Sequence, residues 1–248
     1  MNREKIAILT DSCSDVPAAA LAAYPIYVLP LKVIYPDAEY LDGVEIRAEE
    51  VYSRMPQEIP KTSLPSPDAV LKILERIQAD GYEKVLAVCI SSGISGTYNL
   101  VRLMCDGFRA LQSHVVDTRN ISIGSGLLAV TAAQYVENGM AWNELIERIE
   151  QLVPESKVFF CVKTLEYLQK GGRIGKVTAF VGSALKLKPV ISCNSDGIYY
   201  TAGKALGRKA SIQKVFDLAA RFATGCADVA MCLMNGGACL LYTSDAAD

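Results

Sequence analysis

The sequence predicts an α/β fold organised as two domains, and three observations carry this prediction. Strand-like runs alternate with amphipathic helical patterns from residue 5 to about residue 152, which is typical of a mostly parallel sheet flanked by helices. The run KVLAVCI at residues 84–90 is apolar at nearly every position, as expected of a parallel strand buried on both faces. The segment VPES at residues 153–156 then marks a boundary, after which a smaller α/β domain begins.

Composition excludes several classes of protein. The 248 residues are 51% hydrophobic and 21% charged, which is ordinary for a globular protein, and the net charge of −2 gives no electrostatic case for a nucleic-acid partner. The charged start MNREK does not resemble a signal peptide, and the longest uncharged segment, residues 120–136, is too short and polar for a membrane span. We therefore expect a cytoplasmic protein with no stable membrane insertion.

Eight cysteines and one histidine limit the chemistry. No C-x-x-C pair occurs, and Cys89, Cys161 and Cys232 lie in apolar strand-like runs, so we expect buried reduced thiols rather than a disulfide framework. The single histidine, His114, excludes a His-rich zinc site and argues against a Ser-His-Asp hydrolase. The sequence therefore predicts no metal and no cofactor.

The first strand, residues 5–10, ends in the polar sequence DSCSD before an alanine-rich helix. Asp11 and Ser12 fall at the carboxyl edge of the predicted sheet, where ligands of open α/β sheets bind, although the two residues could equally serve only to tie the loop together. Pro30 interrupts the next strand-like run, residues 25–35, which predicts a bent or edge strand.

Thr62 and Ser63 lie in a stretch punctuated by prolines, KTSLPSP, which predicts a loop. Ser66 or Asp68 then caps a helix whose apolar positions follow the 3.6-residue period. Because the two upstream hydroxyls have no evident local structural role, we expect them to face a site.

The loop after residues 84–90 reads SSGISGT and opens a helix predicted over residues 95–111. Its hydroxyl residues lie beside the free N–H groups of a helix start, which suits an anion; they are Ser91, Ser92, Ser95 and Thr97. Gly93 and Gly96 would let the backbone turn sharply and approach a ligand. The same serines could serve only as helix caps, and the loop alone favours neither interpretation.

Two glycine-rich segments formally resemble nucleotide-binding motifs. GSGLLA at residues 124–129, in a helix predicted over 123–136, fits G-x-G-x-x-A, but no strong strand abuts it and no acidic residue ends a second strand. Close helix packing explains its glycines better. GGRIGK at residues 171–176 fails the spacing of a phosphate-binding P-loop, so we expect a chain reversal that leaves Arg173 and Lys176 available to a partner or an anion.

The pattern after residue 156 predicts further elements of both types. They are a strand at 158–162, a helix at 164–170, a helix reaching 187, a hairpin of 189–193 and 198–201 about an Asp-Gly turn, a basic helix at 207–222 and a final strand at 229–234. The predicted division is an N-terminal α/β domain at residues 1–156 and a C-terminal α/β domain at residues 157–238.

Six segments, in order along the chain, carry a family resemblance: KIAILTDSCSDVP, KTSLPSP, SSGISGTYN, VVDTRNISIGSGL, TLEYLQKGGRIGK and GKALGRKA. They cover about residues 4–235, and the chain resembles the DegV family of bacterial fatty-acid-binding proteins. The resemblance implies a Rossmann-like N-terminal domain, a smaller C-terminal domain and one long-chain fatty acid held between them. It also implies that a separate fatty acid kinase subunit phosphorylates the presented carboxylate to an acyl phosphate, so that this chain is a carrier and not an enzyme.

By the same resemblance, Thr62 and Ser95 match the hydroxyls that bind the fatty acid carboxylate. Six neighbouring residues are candidates to support them: Ser63, Ser92, Gly96, Thr97, Asp11 and Ser12. Arg173 and Arg208 are expected to contact a partner or an anion, although Leu206 stands where the family more often has a basic residue. No catalytic residue is expected.

The chain departs from the family pattern at its C-terminal end. The family usually continues for tens of residues, through a strand and a glycine-rich segment with a histidine near the ligand head group, whereas His114 lies elsewhere in this sequence. The last ten residues, CLLYTSDAAD at 239–248, look like translated adapter sequence. We therefore expect an incomplete C-terminal domain followed by a non-native tail.

Two other functions are alternatives. Ser95 could be the nucleophile of a Ser-dependent acyl hydrolase, but Thr97 replaces the second glycine of the G-x-S-x-G elbow and His114 would have to be the base. The second alternative is a Rossmann-like protein that binds phosphate or a nucleotide. It would depend on GSGLLA and GGRIGK, the two glycine-rich segments that match nucleotide-binding motifs only poorly.

Overall fold

The computed structural model describes residues 2–55, 57–180 and 187–236. The strands in these residues are β1 (Ile6–Asp11), β2 (Ile26–Leu29), β3 (Lys32–Ile34), β4 (Glu39–Leu41), β5 (Lys61–Ser63), β6 (Lys84–Cys89), β7 (Gln112–Asp117), β8 (Leu187–Cys193) and β9 (Tyr199–Leu206). The α-helices are α1 (Ala18–Ala23), α2 (Ala48–Arg54), α3 (Pro67–Ala79), α4 (Thr97–Gly107), α5 (Ile123–Glu137), α6 (Trp142–Leu152), α7 (Glu166–Lys170) and α8 (Gly207–Ala223). The predicted tail at 239–248 and residues 181–186 of the helix predicted to reach 187 lie outside the described residues.

Four parallel strands form the main sheet in the order β2-β1-β6-β7, which confirms the predicted α/β fold. The two central strands, β1 and β6, are buried along almost their whole length. Alternate side chains of β1 point to opposite faces, so Ile6 and Ile8 enter one core cluster while Ala7 and Leu9 enter the other. This double burial is why these strands show no alternation of polar and apolar residues.

Helices cover both faces of the main sheet. On one face, α5 and α6 supply the apolar side chains of the core, and on the other face α3 and α4 supply them. The buried stripe of α3 is Val70, Leu74 and Ile77, which repeats at the period of a helix. Ser66 rather than Asp68 caps this helix, because its Oγ accepts the N–H of Ala69 at 3.2 Å.

The glycines of GSGLLA serve close packing, as predicted. A Cβ on Gly126 would lie 2.2 Å from the backbone carbonyl oxygen of Ser14, and a Cβ on Gly124 would lie 2.7 Å from the side-chain amide of Asn120. Gly126 therefore allows α5 to approach the loop after β1, and Gly124 leaves room for the Asn120 side chain from the loop after β7.

A small antiparallel sheet, β4-β3-β5, lies beside the main one. Pro30 separates β2 in the main sheet from β3 in the small sheet, which confirms the predicted bend. The prediction of a loop at Thr62 and Ser63 is wrong, since both residues belong to β5 and pair with β3. A three-residue edge strand is too short to show a period, and the surrounding prolines obscure it.

The second part of the chain is built on the antiparallel hairpin of β8 and β9, with α8 packed against it. The predicted turn is confirmed: Asn194 Oδ1 accepts the N–H groups of Asp196 and Ile198, and Gly197 has a φ of 71°. The strand predicted at residues 229–234 is wrong. That apolar segment is exposed, with Leu233 63% accessible, and it pairs with no strand in the described residues.

Candidate functional site

The candidate site lies at the carboxyl edge of the main sheet, between β1 and β6. From β1 the chain continues to β2 on one side, whereas from β6 it continues to β7 on the other, so the strand order changes direction between these two strands. Open parallel sheets bind their ligands outside this switch point. Asp11 joins the two loops that leave the sheet here, because its Oδ2 accepts the N–H of Ile90 at 2.7 Å.

The loop after β1 uses its polar side chains internally. Asp11 Oδ1 accepts the N–H of Cys13 at 3.1 Å, and the Ser14 hydroxyl donates to the backbone carbonyl of Asp11. Ser12 Oγ accepts the N–H of Leu31 at 3.1 Å, which fixes the bend between β2 and β3. The structure therefore gives Asp11 and Ser12 definite roles in tying the loop.

Burial raises the pKa of Asp11 to about 6, while the two N–H groups that it accepts favour the charged form and lower the pKa. Its carboxyl is fully buried at the sheet edge. Burial likewise raises the pKa of the neighbouring Cys13 thiol well above its usual value, and the nearby carboxylates of Asp11 and Asp42 act in the same direction. The Cys13 thiol is thus protonated and unsuited to nucleophilic chemistry.

Ser91 organises the loop after β6. Its N–H donates to the carbonyl of Asn120, its carbonyl accepts the N–H of Ser95 at 3.0 Å, and its Oγ accepts the N–H of Gly93 at 3.1 Å. The same hydroxyl donates to the carbonyl of Gly197 at 2.9 Å. All of its polar groups are engaged, and the side chain is fully buried.

Ser92 and Thr97 are engaged as well. The Ser92 hydroxyl and N–H both donate to the carboxylate of Asp117 at the end of β7. Thr97 is buried at the first position of α4, and its Oγ1 lies 2.8 Å from Ser95 Oγ. These contacts hold the loop in one shape.

Ser95 is the half-buried hydroxyl at the start of α4. Its Oγ accepts the N–H of Thr97, the first residue of α4, at 3.3 Å. The N-cap of α4 is Gly96, which makes no side-chain cap, so Ser95 is not the N-cap residue that the capping interpretation expects. Gly96 follows with its Cα exposed, and the one neighbour that a Cβ there would contact is Leu64, at 3.6 Å. The loop is therefore open on the side that faces the segment after β5.

Thr62 lies on that side. It pairs with Val33 through the backbone, its side chain is exposed, and within the described residues its hydroxyl makes no hydrogen bond. Leu64, two residues later, is the residue that faces Gly96. The structure thus brings the Thr62 segment beside the start of α4, whereas Ser63 is half-buried and pairs with Lys32.

The turn of the β8–β9 hairpin docks onto the loop after β6. A Cβ on Gly93 would lie 2.6 Å from the carbonyl oxygen of Asp196, and a Cβ on Gly197 would lie 1.8 Å from Ser91 Oγ. Gly93 is therefore needed for the approach of the hairpin, a role that the sequence did not indicate. Because the hairpin occupies the space at Gly93, the approach of the backbone to a ligand stays a prediction for Gly96 alone.

An apolar cluster extends from this junction into the second part of the chain; we call it the Ile94 cluster. Its buried members are Val177, Ile191, Cys193 and Tyr199, and packed against them are Ile94, Ile121, Val158, Phe160, Val162, Leu165, Leu168 and Ile174. Ile94 directly precedes Ser95 in the chain, so the cluster begins one residue before the hydroxyl at the start of α4. The sequence offered one signal of this cluster, an isolated isoleucine in an otherwise polar loop.

The two arginines have different surroundings. Arg173 is exposed, donates to the carbonyl of Gly171, and lies close enough to Cys13 and Tyr199 for its charge to favour their ionised forms against the larger effect of burial. Its charge therefore reaches the carboxyl edge of the sheet. Arg208 is half-buried and donates to the carbonyl oxygen of Cys161 at 3.0 Å, which commits at least part of its guanidinium to the fold.

The position of His114 does not fit a hydrolase. It lies in β7 opposite Leu86 of β6, and its Nε2 is 2.9 Å from the carboxylate of Glu150. Leu86 precedes Ser91 by five residues, which is about 16 Å of strand at about 3.3 Å per residue. The imidazole therefore cannot reach Ser95 to act as its base.

The described residues contain neither a metal-binding cluster nor a membrane-spanning helix. No group of three or more His, Cys, Asp or Glu side chains in these residues is arranged to hold a metal ion. Among the helices of the described part, none has the length and apolar character needed to cross a bilayer.

Comparison with known proteins identifies the family. The model of the DegV family, described as an uncharacterised protein family, matches residues 5–242, four residues into the segment predicted to be non-native. A DegV domain-containing protein of Clostridium acetobutylicum is 42% identical over 218 residues, which are 88% of this chain and 78% of the relative. The chain belongs to the DegV family.

Solved DegV structures share the fold. A DegV family protein from Thermus thermophilus, described by its fatty acid binding, superposes with a TM-score of 0.81 at 32% identity and covers 91% of this chain and 79% of its own. A stearic-acid-binding protein from Eubacterium ventriosum gives a TM-score of 0.79 at 28% identity, with coverages of 87% and 76%. The DegV resemblance and the α/β fold inferred from the sequence are thus confirmed.

Proposed function

We propose that this DegV protein binds a long-chain fatty acid between an N-terminal domain, residues 1–156, and a C-terminal domain, residues 157–238. The carboxylate would be held by the hydroxyls of Thr62 and Ser95, and the acyl chain would lie along the Ile94 cluster. The observation that carries the proposal is that Ile94 and Ser95 follow each other in the chain. The hydroxyl proposed to bind the carboxylate is therefore next to a residue of the apolar Ile94 cluster. Fatty acid binding by the relatives from Thermus thermophilus and Eubacterium ventriosum supports it.

Ser95 is suited to donate to a carboxylate. Because Thr97 is buried and Ser95 is half-buried, we infer that the Thr97 hydroxyl donates to Ser95 Oγ, which also accepts the Thr97 N–H. The Ser95 proton is then free for a ligand, and the two hydrogen bonds that its oxygen accepts polarise the O–H group. The start of α4 adds a favourable field for an anion.

The acyl chain and the carboxylate of the ligand contribute differently to the binding free energy. Burying an acyl chain contributes about 0.8 kcal/mol per methylene, so about 14 methylenes contribute roughly 11 kcal/mol at most. A hydrogen bond to a charged group contributes about 1.5–3 kcal/mol. The tail thus supplies most of the affinity, and the hydroxyls determine which end stays at the rim of the sheet.

A carboxylate held at this rim would be accessible to a second protein. We propose that a separate fatty acid kinase subunit phosphorylates it: a carboxylate oxygen attacks the γ-phosphorus of ATP, ADP leaves, and an acyl phosphate forms. The exposed guanidinium of Arg173 is available to contact this partner or the developing phosphate. No group of this chain performs the chemical step.

The test of binding is mass spectrometry of lipids extracted from the purified protein, followed by titration with stearic acid. We expect a co-purified fatty acid, and we expect Ser95→Ala and Thr62→Val each to weaken binding by about 10- to 100-fold. Thr224→Val is a matched control, since Thr224 is an exposed hydroxyl at the far end of α8 that donates to the carbonyl of Ala220. Absence of both a co-purified and a titratable fatty acid would refute the proposal.

The test of presentation adds ATP and a purified bacterial fatty acid kinase subunit, and traps acyl phosphate with hydroxylamine. We expect hydroxamate only when kinase, fatty acid and this protein are all present. Hydroxamate formation that is independent of this protein would overturn the presentation step while leaving fatty acid binding intact.

A further inference from the structure

Two hydroxyls of the β8–β9 hairpin, Thr201 Oγ1 and Ser192 Oγ, are buried and have no hydrogen-bond partner among the described residues. Buried polar groups are nearly always paired, because a group that has lost water and gained no partner destabilises the fold. An unpaired hydroxyl in a native core therefore calls for an explanation, and the two residues lie in different surroundings.

The strand register places Thr201 on the face of the Ile94 cluster. Thr201 is paired with Ile191, and Tyr199, two residues earlier on β9, is paired with Cys193. Ile191, Tyr199 and Cys193 are all buried members of the Ile94 cluster. Because cross-strand pairs share one face of a sheet, Thr201 lies on the same face as these three residues. The Thr201 hydroxyl is therefore a polar atom within an otherwise apolar surface.

The same register places Ser192 on the opposite face. It is paired with Tyr200 and alternates with Ile191 and Cys193 along β8. The register shifts between Val190 and Ile191, and beyond this irregularity Gly203, the partner of Val190, lies close to α8, because a Cβ on Gly203 would lie 3.1 Å from Leu218. Ser192 thus shares the burial and the missing partner of Thr201 but faces away from the Ile94 cluster.

Thr201 does not lie at the proposed position of the ligand carboxylate, beside Ser95, but further along the hairpin. Gly197 is in contact with the loop that carries Ser95, and Thr201 is four residues further along. At about 3.3 Å per residue of extended chain, that is about 13 Å. A ligand whose carboxylate lies at Ser95 and whose chain follows the hairpin would pass Thr201 with its middle carbons.

We propose that Thr201 Oγ1 is a specificity determinant that pairs with a hydroxyl carried near the middle of the acyl chain, so that the protein selects hydroxylated long-chain fatty acids over unsubstituted ones. This inference rests on the proposed function and extends it to a substrate class. An unsubstituted chain leaves the Thr201 hydroxyl unpaired, whereas a mid-chain hydroxyl can both donate to it and accept from it.

The experiment measures the dissociation constants of stearic acid and 10-hydroxystearic acid for the full chain and two variants. For the unchanged protein we expect 10-hydroxystearic acid to bind on the order of tenfold more tightly, which is the contribution of one buried hydrogen bond. Thr201→Val keeps the shape of the side chain and should remove this preference, so that the ratio of the two dissociation constants falls to about one. Ser192→Ala is the matched control and should retain the preference.

Both variants remove an unpaired buried hydroxyl, so we expect both to fold at least as stably as the unchanged protein, which thermal unfolding checks. Equal affinity of the unchanged protein for the two acids, or a preference that survives Thr201→Val, would overturn the inference. If neither acid binds, the proposed function itself is refuted. Failure of the inference and failure of the proposed function are therefore distinguishable.

Discussion

Two loops leave the main sheet side by side, and both are rich in hydroxyls, but they use them differently. In the loop after β1, Asp11, Ser12 and Ser14 all bond to nearby backbone groups, and α5 packs on the loop through Gly126. In the loop after β6, the hydroxyls of Ser91 and Ser92 are engaged, whereas Ser95 is half-buried and its hydroxyl contacts only Thr97 among the described residues. The next residue, Gly96, faces Leu64 of the segment that carries Thr62. Hydroxyl content alone therefore does not identify a binding loop; what distinguishes the second loop is a hydroxyl without a full set of internal partners.

The largest effect is expected where the second loop meets the hairpin. Gly197→Ala would bring a Cβ 1.8 Å from Ser91 Oγ at a φ of 71°, and we expect a loss of about 4 kcal/mol in the free energy of unfolding. Gly43→Ala is the control, since Gly43 has a φ of 74° and no atom within 4 Å of its Cβ position. Denaturant unfolding measures both, and equal losses would show that the hairpin contact contributes nothing.

The next effect separates the two loops directly. Gly126→Ala would bring a Cβ 2.2 Å from the backbone of Ser14, so α5 or the first loop must shift, and we expect a loss of about 3 kcal/mol. Gly96→Ala in the second loop meets only Leu64 at 3.6 Å and should cost less than about 1 kcal/mol. Chemical denaturation of the two variants tests the contrast, and a cost at Gly96 as large as at Gly126 would contradict it.

The third prediction concerns the buried carboxyl of the first loop. Because the folded state raises the pKa of Asp11 to about 6, it holds the proton more tightly than the unfolded chain does. This contribution to stability is present at low pH and is lost as the pH rises from about 4 to about 6, on the order of 2 kcal/mol. Asp11→Asn removes the ionisable carboxyl and with it this pH-dependent contribution. The difference in unfolding free energy between the unchanged protein and the variant should therefore change between about pH 4 and about pH 6. A constant difference from pH 4 to pH 7 would contradict the assignment.

The smallest effect on stability is expected at Thr62. Its exposed hydroxyl has no partner in the described residues, so Thr62→Val should change the free energy of unfolding by less than about 0.5 kcal/mol. The same variant should weaken fatty acid binding, as stated above. Thermal unfolding and titration of one sample test both, and a matched loss of stability and affinity would assign Thr62 to the fold.

Much of the fold was predictable because the runs that form β1 and β6 are mainly apolar, as in strands buried on both faces, and because α3 carries the 3.6-residue period of a helix. The helix cap at Ser66 and the packing of Gly126 also followed from the sequence. The three-residue strand β5 did not, since so short an edge strand has no period to detect. The exposed segment at residues 229–234 has the composition of a strand but pairs with no neighbour in the described part, and composition alone cannot report a partner.

The site was predictable only in part, for a similar reason. Thr62 and Ser63 stood out as hydroxyls without an evident local role, and Ser95 was singled out by the family resemblance. The uses of Ser91, Gly93 and Asp117 depend instead on segments distant in the sequence. Gly93 and Gly197 both allow close approach, and neither spacing nor residue type shows that the two loops approach each other. The Ile94 cluster likewise gathers residues from several separate segments.

The contact between Ser91 and Gly197 also has a consequence for folding order. The two residues are 106 positions apart, so the bond closes only after the hairpin has been synthesised and has folded. The main sheet needs no residue beyond 117 to pair its strands, and it can form first. We therefore expect the loop that carries Ser95 to reach its final shape after the sheet has formed, so that the proposed carboxylate site would be completed late in folding.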